Sequence, residues 1–222
     1  MLSYEGPFGV GYGVAILFER ERAQEPGSAG GAGCRSLSRM EELPGVARGA
    51  VEERLLGGRP QAPFVARGEL AAPGAVFVTV RNETGELRGC RGVTEPSAPD
   101  LVSETRRSAV AAAVHDGRFA PVTAADLPHM RFTVTVLGAL EPVSSPRDLD
   151  PAVYGVLVSA VDGRRGVLLP AIPGVRSAAQ QLSIVREKAG IPDDEFVRIE
   201  RFTARSFAEA AAGPPGGDRN AG

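Results

Sequence analysis

Alternating apolar and polar residues predict antiparallel β-structure in the second half of the chain. Met130 to Leu137 alternates Phe and Val with Arg and Thr, the period of two that marks a strand with one buried face. Residues 154–160 and 165–169 are apolar runs on either side of Asp162-Gly163, and Asp-Gly supplies the positive φ angles of a tight type I′ hairpin turn. We therefore predict a strand followed by a β-hairpin.

Helical spacing of apolar residues predicts three helices. Residues 43–55 have this spacing, and Asp100 is placed to cap a second helix that Gly117 would terminate. Ser177 and Gln180 match a capping box ahead of the third helix. Strands joined by hairpins, with few helices and no regular βαβ alternation, predict an α+β fold with a mainly antiparallel sheet.

The two ends of the chain differ in composition from its body. Residues 1–20 are rich in glycine and end in an apolar run that predicts one strand, and residues 21–38 have the Gln, Pro, Gly, Ser and Ala content of a flexible linker. Residues 208–222 have too little apolar surface to offset their ordering entropy and are predicted to be disordered. The predicted folded body spans residues 39–207.

Composition excludes several classes of protein. A net charge of -2 with 43% hydrophobic residues indicates a globular domain without the basic surface that binds nucleic acid. We expect a soluble, cytoplasmic protein with no membrane partner, because the chain lacks a signal peptide and any apolar run of about 18 residues. Cys34, Cys90, His115 and His129 are too few and too scattered to predict a disulfide framework, a zinc site or an iron–sulfur cluster, so we expect no cofactor.

The densest chemical signal is the segment Leu87-Arg88-Gly89-Cys90-Arg91-Gly92, which we interpret as a loop. Its glycines allow a ligand to approach the backbone, and its two guanidinium groups would favour the thiolate of Cys90. Three interpretations follow. Cys90 is a nucleophile or redox thiol; or Arg88, Arg91 and the loop amides hold a phosphate or carboxylate; or Cys90 is a buried core thiol and the glycines only turn the chain.

His115 is the candidate base for a reactive cysteine. It follows the alanine-rich helix, where the helix dipole favours a protonated imidazole, and the alternative is a solvated or capping residue. Walker, GxSxG and GxGxxG motifs are absent from the sequence. The sequence therefore lacks the motifs that usually support ATP hydrolysis, α/β-hydrolase chemistry and Rossmann dinucleotide binding.

Five segments of the sequence resemble one known family. They are GELRGCRG (85–92), DGRFAPVTAADLP (116–128), FTVTVL (132–137), GRRGVLLP (163–170) and QQLSIVREKAGIP (180–192). Their order and spacing resemble the AMMECR domain family, whose bacterial and archaeal members are called AmmeMemoRadiSam system protein A. The resemblance covers residues 39–207 and implies a two-part α+β domain with an antiparallel sheet and the LRGC loop near a cleft between the parts.

The resemblance also implies a site and partners. Arg88, Gly89, Cys90 and Gly92 match the family loop, and Arg118 matches the second motif, whereas Arg91 stands where the family usually has isoleucine. Gly117 stands where proline is frequent. The family association implies a Memo-like protein and a radical SAM protein as partners in modifying a biomolecule. The alternative function is a non-catalytic module that binds a small anionic ligand or a partner chain through the same loop.

The N-terminal sequence resembles a different domain. SYEGPFGVGYGVA (3–15) is similar to the extreme C-terminus of the Memo-like, extradiol-dioxygenase-like domain that is fused upstream of AMMECR in many family members. The remainder of that domain, with its iron-binding histidines, does not occur in this sequence. We expect residues 1–20 to be the remnant of such a fusion, without dioxygenase activity.

Overall fold

A computed structural model of the chain describes residues 36–37, 39–57 and 65–209. These residues form three α-helices and two four-stranded antiparallel sheets, which confirms the predicted α+β class. Cys34, the predicted strand within residues 1–20 and most of the predicted linker lie outside the described residues. Among the described residues no helix has the length and apolar character that a membrane span requires.

The elements follow one another along the chain without regular alternation of strand and helix. In order they are β1 (Ser36–Leu37), α1 (Leu43–Leu56), β2 (Val65–Ala66), β3 (Val76–Asn82), β4 (Leu87–Gly92), α2 (Leu101–Val114), β5 (Met130–Leu137), β6 (Glu141–Pro142), β7 (Gly155–Ala160), β8 (Arg165–Leu168), α3 (Ala178–Ala189), β9 (Val197–Phe202) and β10 (Ala204–Ala208). Strands β1 and β2 form a short parallel pair, so part of the predicted linker is in a strand.

Local sequence explains where the helices begin and end. Asp100 accepts a hydrogen bond from the backbone N–H of Ser103 at 2.7 Å and so caps α2, and Ser177 caps α3 in the same way. Helix α1 ends at Gly57 and α3 at Gly190, both with left-handed φ angles of 62° and 63°. Helix α2 differs from the prediction, because it ends at Val114, before Gly117.

The first sheet packs α1 and α2 against one face. Its strand order is β10-β5-β3-β4, so that β4 is an edge strand. Side chains at alternate positions of the central strands point towards the two helices. The main buried members of this core are Val76, Val78, Val80, Phe132 and Val134 from the sheet and Leu43, Ala47, Val51, Leu101, Ala109 and Ala112 from the helices.

The second sheet has the order β6-β9-β7-β8 and carries α3 on one face. Gly166 of β8 lets the helix approach closely, because a Cβ there would lie 2.4 Å from the carbonyl oxygen of Val185. The other face of this sheet meets the first sheet through a smaller core. The buried residues between the sheets are Ala75, Leu137, Leu157, Leu169 and Phe202.

The chain passes from the second sheet to the first at Thr203. Strand β9 pairs with β7, whereas β10, which follows at once, pairs with β5 of the other sheet. The sequence predicts a single bulged strand here, because the apolar positions before and after Phe202 are out of step. The structure shows the physical reason, which is that the two halves bury their side chains against different sheets.

The segment predicted as a loop, Leu87–Gly92, is strand β4. It pairs antiparallel with β3, and the register shifts so that Gly89 lies opposite Val80 but Leu87 lies opposite Arg81. Arg88 is therefore the extra residue of a β-bulge. The prediction of a loop was wrong because a neighbouring strand supplies the pairing that this glycine-rich sequence does not favour by itself.

The folded part of the chain continues into the segment predicted to be disordered. Strand β10 runs to Ala208, and the carboxylate of Glu209 accepts hydrogen bonds from Arg48 at 2.8 Å and from the N–H of Phe132 at 3.0 Å. Arg48 also donates to the carbonyl oxygen of Met130 at 2.6 Å. These contacts fix the end of β10 against α1 and β5.

A buried carboxylate holds the segment between β4 and α2. Glu104 is 1% exposed and accepts hydrogen bonds from the N–H groups of Ser97 at 2.6 Å and Ala98 at 2.8 Å. The hydroxyl of Ser97 donates to the same carboxylate at 3.0 Å. Glu104 therefore sets the path of the chain as it leaves the outer strand of the first sheet.

Replacing this carboxylate will destabilise the protein. Glu104→Ala leaves the N–H of Ala98 buried without its acceptor, and we expect the free energy of unfolding to fall by about 2 kcal/mol. Urea unfolding measures the change. Glu187→Ala is the control, because Glu187 is exposed, and its effect should stay within about 0.5 kcal/mol. Equal effects of the two substitutions would contradict the assigned role.

Candidate functional site

Cys90 lies in β4 on the face of the first sheet that points away from α1 and α2. Its neighbour Gly89 faces α2, since a Cβ there would lie 1.9 Å from the carbonyl oxygen of Ala112. Side chains alternate along a strand, so Cys90 and Gly92 share the opposite face. The Cys90 Sγ lies 3.4 Å from the Oγ1 of Thr79 on β3, and the residue is 5% exposed.

An ion pair from the segment after α2 binds the backbone of Cys90. The Cys90 N–H donates to Asp116 Oδ2 at 2.9 Å, and the Cys90 carbonyl oxygen accepts from Arg118 Nη2 at 3.0 Å. Arg118 also donates to Asp116, from Nη2 at 2.7 Å and from Nε at 2.9 Å. Because β4 is an edge strand, the two side chains occupy positions where another strand would pair.

The protonation states of this site follow from its surroundings. Burial raises the pKa of the Cys90 thiol, and the opposing effects of the Thr79 hydrogen bond and the Arg118 charge are smaller. Hydrogen bonds from Arg118 lower the pKa of Asp116 to about 2. At neutral pH the site therefore contains a neutral thiol beside a carboxylate and a guanidinium group.

The two arginines of the predicted loop point to other parts of the surface. Arg91 shares the Gly89 face of β4 and is exposed. Arg88 lies at the bulge, and its charge adds to the Thr123 hydrogen bonds that lower the pKa of Asp126. The positive charges that act on the thiol are instead those of Arg118 and Arg81.

The last turn of α3 brings a further cation to the site. Lys188 is the only lysine of the sequence, and it interacts electrostatically with both Cys90 and Arg118. Its side chain is exposed, but the protein around its ammonium group lowers the pKa of Lys188, and the charge of Arg118 lowers it further. Sequence analysis missed Lys188 because only the packing of α3 on the second sheet brings it near β4.

His115, the candidate base, is the residue at which α2 ends. Its backbone N–H donates to the carbonyl oxygen of Ala111 at 3.0 Å, and its side chain is exposed. The residues of this segment that contact Cys90 are Asp116, the neighbour of His115, and Arg118. The sequence contained a usable signal, because Asp116 and Arg118 flank a single glycine in one of the family-like motifs.

A cleft of about 400 Å³ lies beside this site, between the two sheets. Its lining residues come from β3, the end of β4 and the segment after it on one side, and from β7 and β8 on the other: Phe77, Gly92, Val93, Thr94, Glu95, Leu157, Arg165, Gly166 and Val167. Glu95 and Arg165 form an ion pair of 2.7 Å across it. The cleft adjoins Cys90 through Gly92, and it adjoins the end of α3 through Gly166, which packs against Ala189.

Residues 36–37, 39–57 and 65–209 contain no group of three or more His, Cys, Asp and Glu side chains that could hold a metal ion.

Two antiparallel sheets with a cleft beside an LRGC edge strand define a two-part α+β domain of the kind that the sequence resemblance implied. The AMMECR1 family model matches residues 44–207, and the chain belongs to the AMMECR1 family. The matched segment includes every residue of the site described above.

Related proteins agree with this assignment. A Thermotoga maritima protein is 46% identical over 133 residues, which cover 59% of this chain and 75% of that protein. A Clostridium acetobutylicum protein is 35% identical over 229 residues, and the match covers 95% of this chain but 46% of that protein. The crystal structure of an uncharacterized protein from Pyrococcus horikoshii has a TM-score of 0.68 and 31% identity, covering 76% of this chain and 90% of that one.

The Asp116–Arg118 pair predicts a specific pH dependence of stability. The pKa of Asp116 falls from 3.8 to about 2 on folding, so its contribution to stability is complete above about pH 5 and is lost as the pH falls through 2. Between pH 5 and pH 2 the wild type should lose about 2 kcal/mol more unfolding free energy than Asp116→Asn. Urea unfolding at each pH measures this difference.

A matched substitution separates this effect from general acid unfolding. Asp193 is exposed, and Asp193→Asn should keep the wild-type pH profile. Parallel profiles for the wild type and Asp116→Asn would show that the carboxylate has no special role in the native state.

Proposed function

We propose that this chain is a binding component of a system that also contains a Memo-like protein and a radical SAM protein. The association with these two partners is inferred from the family resemblance. The binding role is supported chiefly by the state of Cys90, which is buried, neutral and held through both of its backbone polar groups. Of the functions considered from the sequence, the structure thus favours binding over catalysis by the thiol.

A nucleophilic cysteine requires a thiolate and access for its substrate. Burial raises the pKa of Cys90, which is the opposite of what activation requires. Within the part of the chain that the structure describes, the hydrogen-bond partner of the Cys90 Sγ is the hydroxyl of Thr79, which is not a base at neutral pH. Cys90 therefore fits the role of a packed residue that positions β4.

The charge around Cys90 favours an anionic ligand. Arg118, whose side chain is 40% exposed, and Lys188 repel each other near Cys90. A carboxylate or phosphate group bound near both would relieve that repulsion and form charge-assisted hydrogen bonds. The adjoining cleft, with its apolar walls, provides space for the remainder of the ligand.

Alkylation of Cys90 tests whether the thiol is activated. In a Cys34→Ser background, iodoacetamide should react slowly with native Cys90 below pH 9, because the thiol is protonated and buried. The rate should rise to that of a model thiol on unfolding in urea. Mass spectrometry of the time course gives both rates. Rapid reaction of the native protein with an apparent pKa below 8 would overturn the binding role.

Complex formation tests the proposed role of Arg118. We expect Arg118→Ala to weaken binding of the Memo-like protein from the same genome by about tenfold, because a charge-assisted contact is lost. Cys90→Ser should change the affinity less than about threefold, as expected for a small, buried substitution outside the contact surface. Calorimetric titration measures both values.

Arg91→Ala is the matched control for this titration. It removes an exposed guanidinium group from the opposite face of β4 and should leave the affinity unchanged. A larger loss from Cys90→Ser than from Arg118→Ala would favour the catalytic alternative.

A further inference from the structure

Both walls of the cleft end in an edge strand. In the described part of the chain, β4 is one of the two edge strands of the first sheet and β8 is one of the two edge strands of the second. Gly92 at the end of β4 and residues 165–167 of β8 all line the cleft. Edge strands carry backbone N–H and C=O groups on their outer side that are available for pairing with another chain.

The register of β4 identifies its outward-pointing residues. The Val93 N–H donates to the Val76 carbonyl oxygen at 2.9 Å, so Val93 bonds towards β3. Residues of an antiparallel strand alternate between inward and outward bonding. Gly92 and Cys90 therefore direct their N–H and C=O groups away from β3, as the hydrogen bonds from Cys90 to Asp116 independently show.

The same alternation applies to β8. The Ala160 N–H donates to the Arg164 carbonyl oxygen at 2.9 Å, and Gly166 lies opposite Val158. Arg164 and Gly166 therefore bond towards β7, whereas Arg165 and Val167 direct their N–H and C=O groups outward.

At the outer edge of β4 the backbone groups of Cys90 are already hydrogen-bonded, whereas those of Gly92 are accessible. At Cys90, the Asp116 carboxylate accepts and the Arg118 guanidinium donates, which are the two functions that a pairing strand would supply. At Gly92 the edge instead borders the cleft. The accessible backbone groups of Gly92 thus lie beside a cleft that has room for a ligand.

We propose that the cleft binds an extended polypeptide segment whose main chain pairs with the outward groups of Arg165 and Val167 on β8 and faces Gly92 on β4. Alternate side chains of the segment pack on Phe77 and Val167 in the apolar walls. This inference rests on the proposed binding function and adds the class of ligand, a peptide recognised through its backbone.

A random linear peptide library displayed on phage provides the probe, panned against the full chain. The affinity of the most enriched peptide, made synthetically, is then measured by fluorescence anisotropy for the wild type, Arg165→Ala and Arg165→Pro. Both variants lose the exposed ion pair with Glu95, but only Arg165→Pro loses the outward N–H. Proline is tolerated at an edge position whose N–H lies outside the ladder.

We expect Arg165→Ala to bind within about threefold of the wild type, since exposed ion pairs contribute little. Arg165→Pro should bind about tenfold more weakly than Arg165→Ala, because a main-chain hydrogen bond is lost. Circular dichroism establishes whether both variants are folded. If Arg165→Pro is unfolded, N-methylation of successive peptide bonds in the ligand replaces it, and losses of about tenfold at alternate positions are expected with the wild type.

Failure to enrich any linear peptide overturns the proposal, as does equal binding by folded Arg165→Pro and Arg165→Ala. Uniform tolerance of N-methylation also overturns it. These results are distinct from failure of the proposed function, which would appear as rapid alkylation of native Cys90 or as unchanged binding of the Memo-like protein by Arg118→Ala.

Discussion

The outer edge of strand β4 depends on the ion pair between Asp116 and Arg118. An edge strand exposes backbone groups at every second residue, and at Cys90 this pair satisfies both of them. The pair is itself held by two hydrogen bonds between the side chains, so the segment after α2 and the strand are fixed as one unit. Where the pair ends, at Gly92, the cleft begins. The position of the candidate binding surface is therefore set by where the Asp116–Arg118 pair stops covering the edge of β4.

The two sheets follow the same packing principle at their outer strands. The edge strands β4 and β8 each have a glycine against which a helix packs, Gly89 against α2 and Gly166 against α3. Each helix can approach closely because neither glycine has a Cβ, and the neighbouring residues then point to the opposite face. The core between the sheets includes Leu157, with Phe77 packed against it, and both residues also line the cleft. The cleft is thus a continuation of the contact between the sheets.

Local signals in the sequence predicted most of the helices and strands, but not the long-range contacts around Cys90. Helix caps such as Asp100 and the alternation of β5 depend on near neighbours, and they were confirmed. The hairpin after β7 was also confirmed, but Gly163 alone has a positive φ in its turn, at 90°, so the turn is not type I′. Strand β4 and the approach of Lys188 to Cys90 could not be predicted, because both arise from contacts between segments far apart in the chain.

Lys188 allows the domain to be labelled chemically at a single side-chain amine. Apart from the N-terminal amine, it is the only primary amine in the sequence, and its lowered pKa increases the fraction of neutral, nucleophilic amine at a given pH. Amine-reactive esters should therefore modify the folded domain at one side chain, next to the cleft. A fluorophore attached there would report on occupancy of the cleft without any engineered residue, and protection of Lys188 from acylation would reveal a bound ligand before its identity is known.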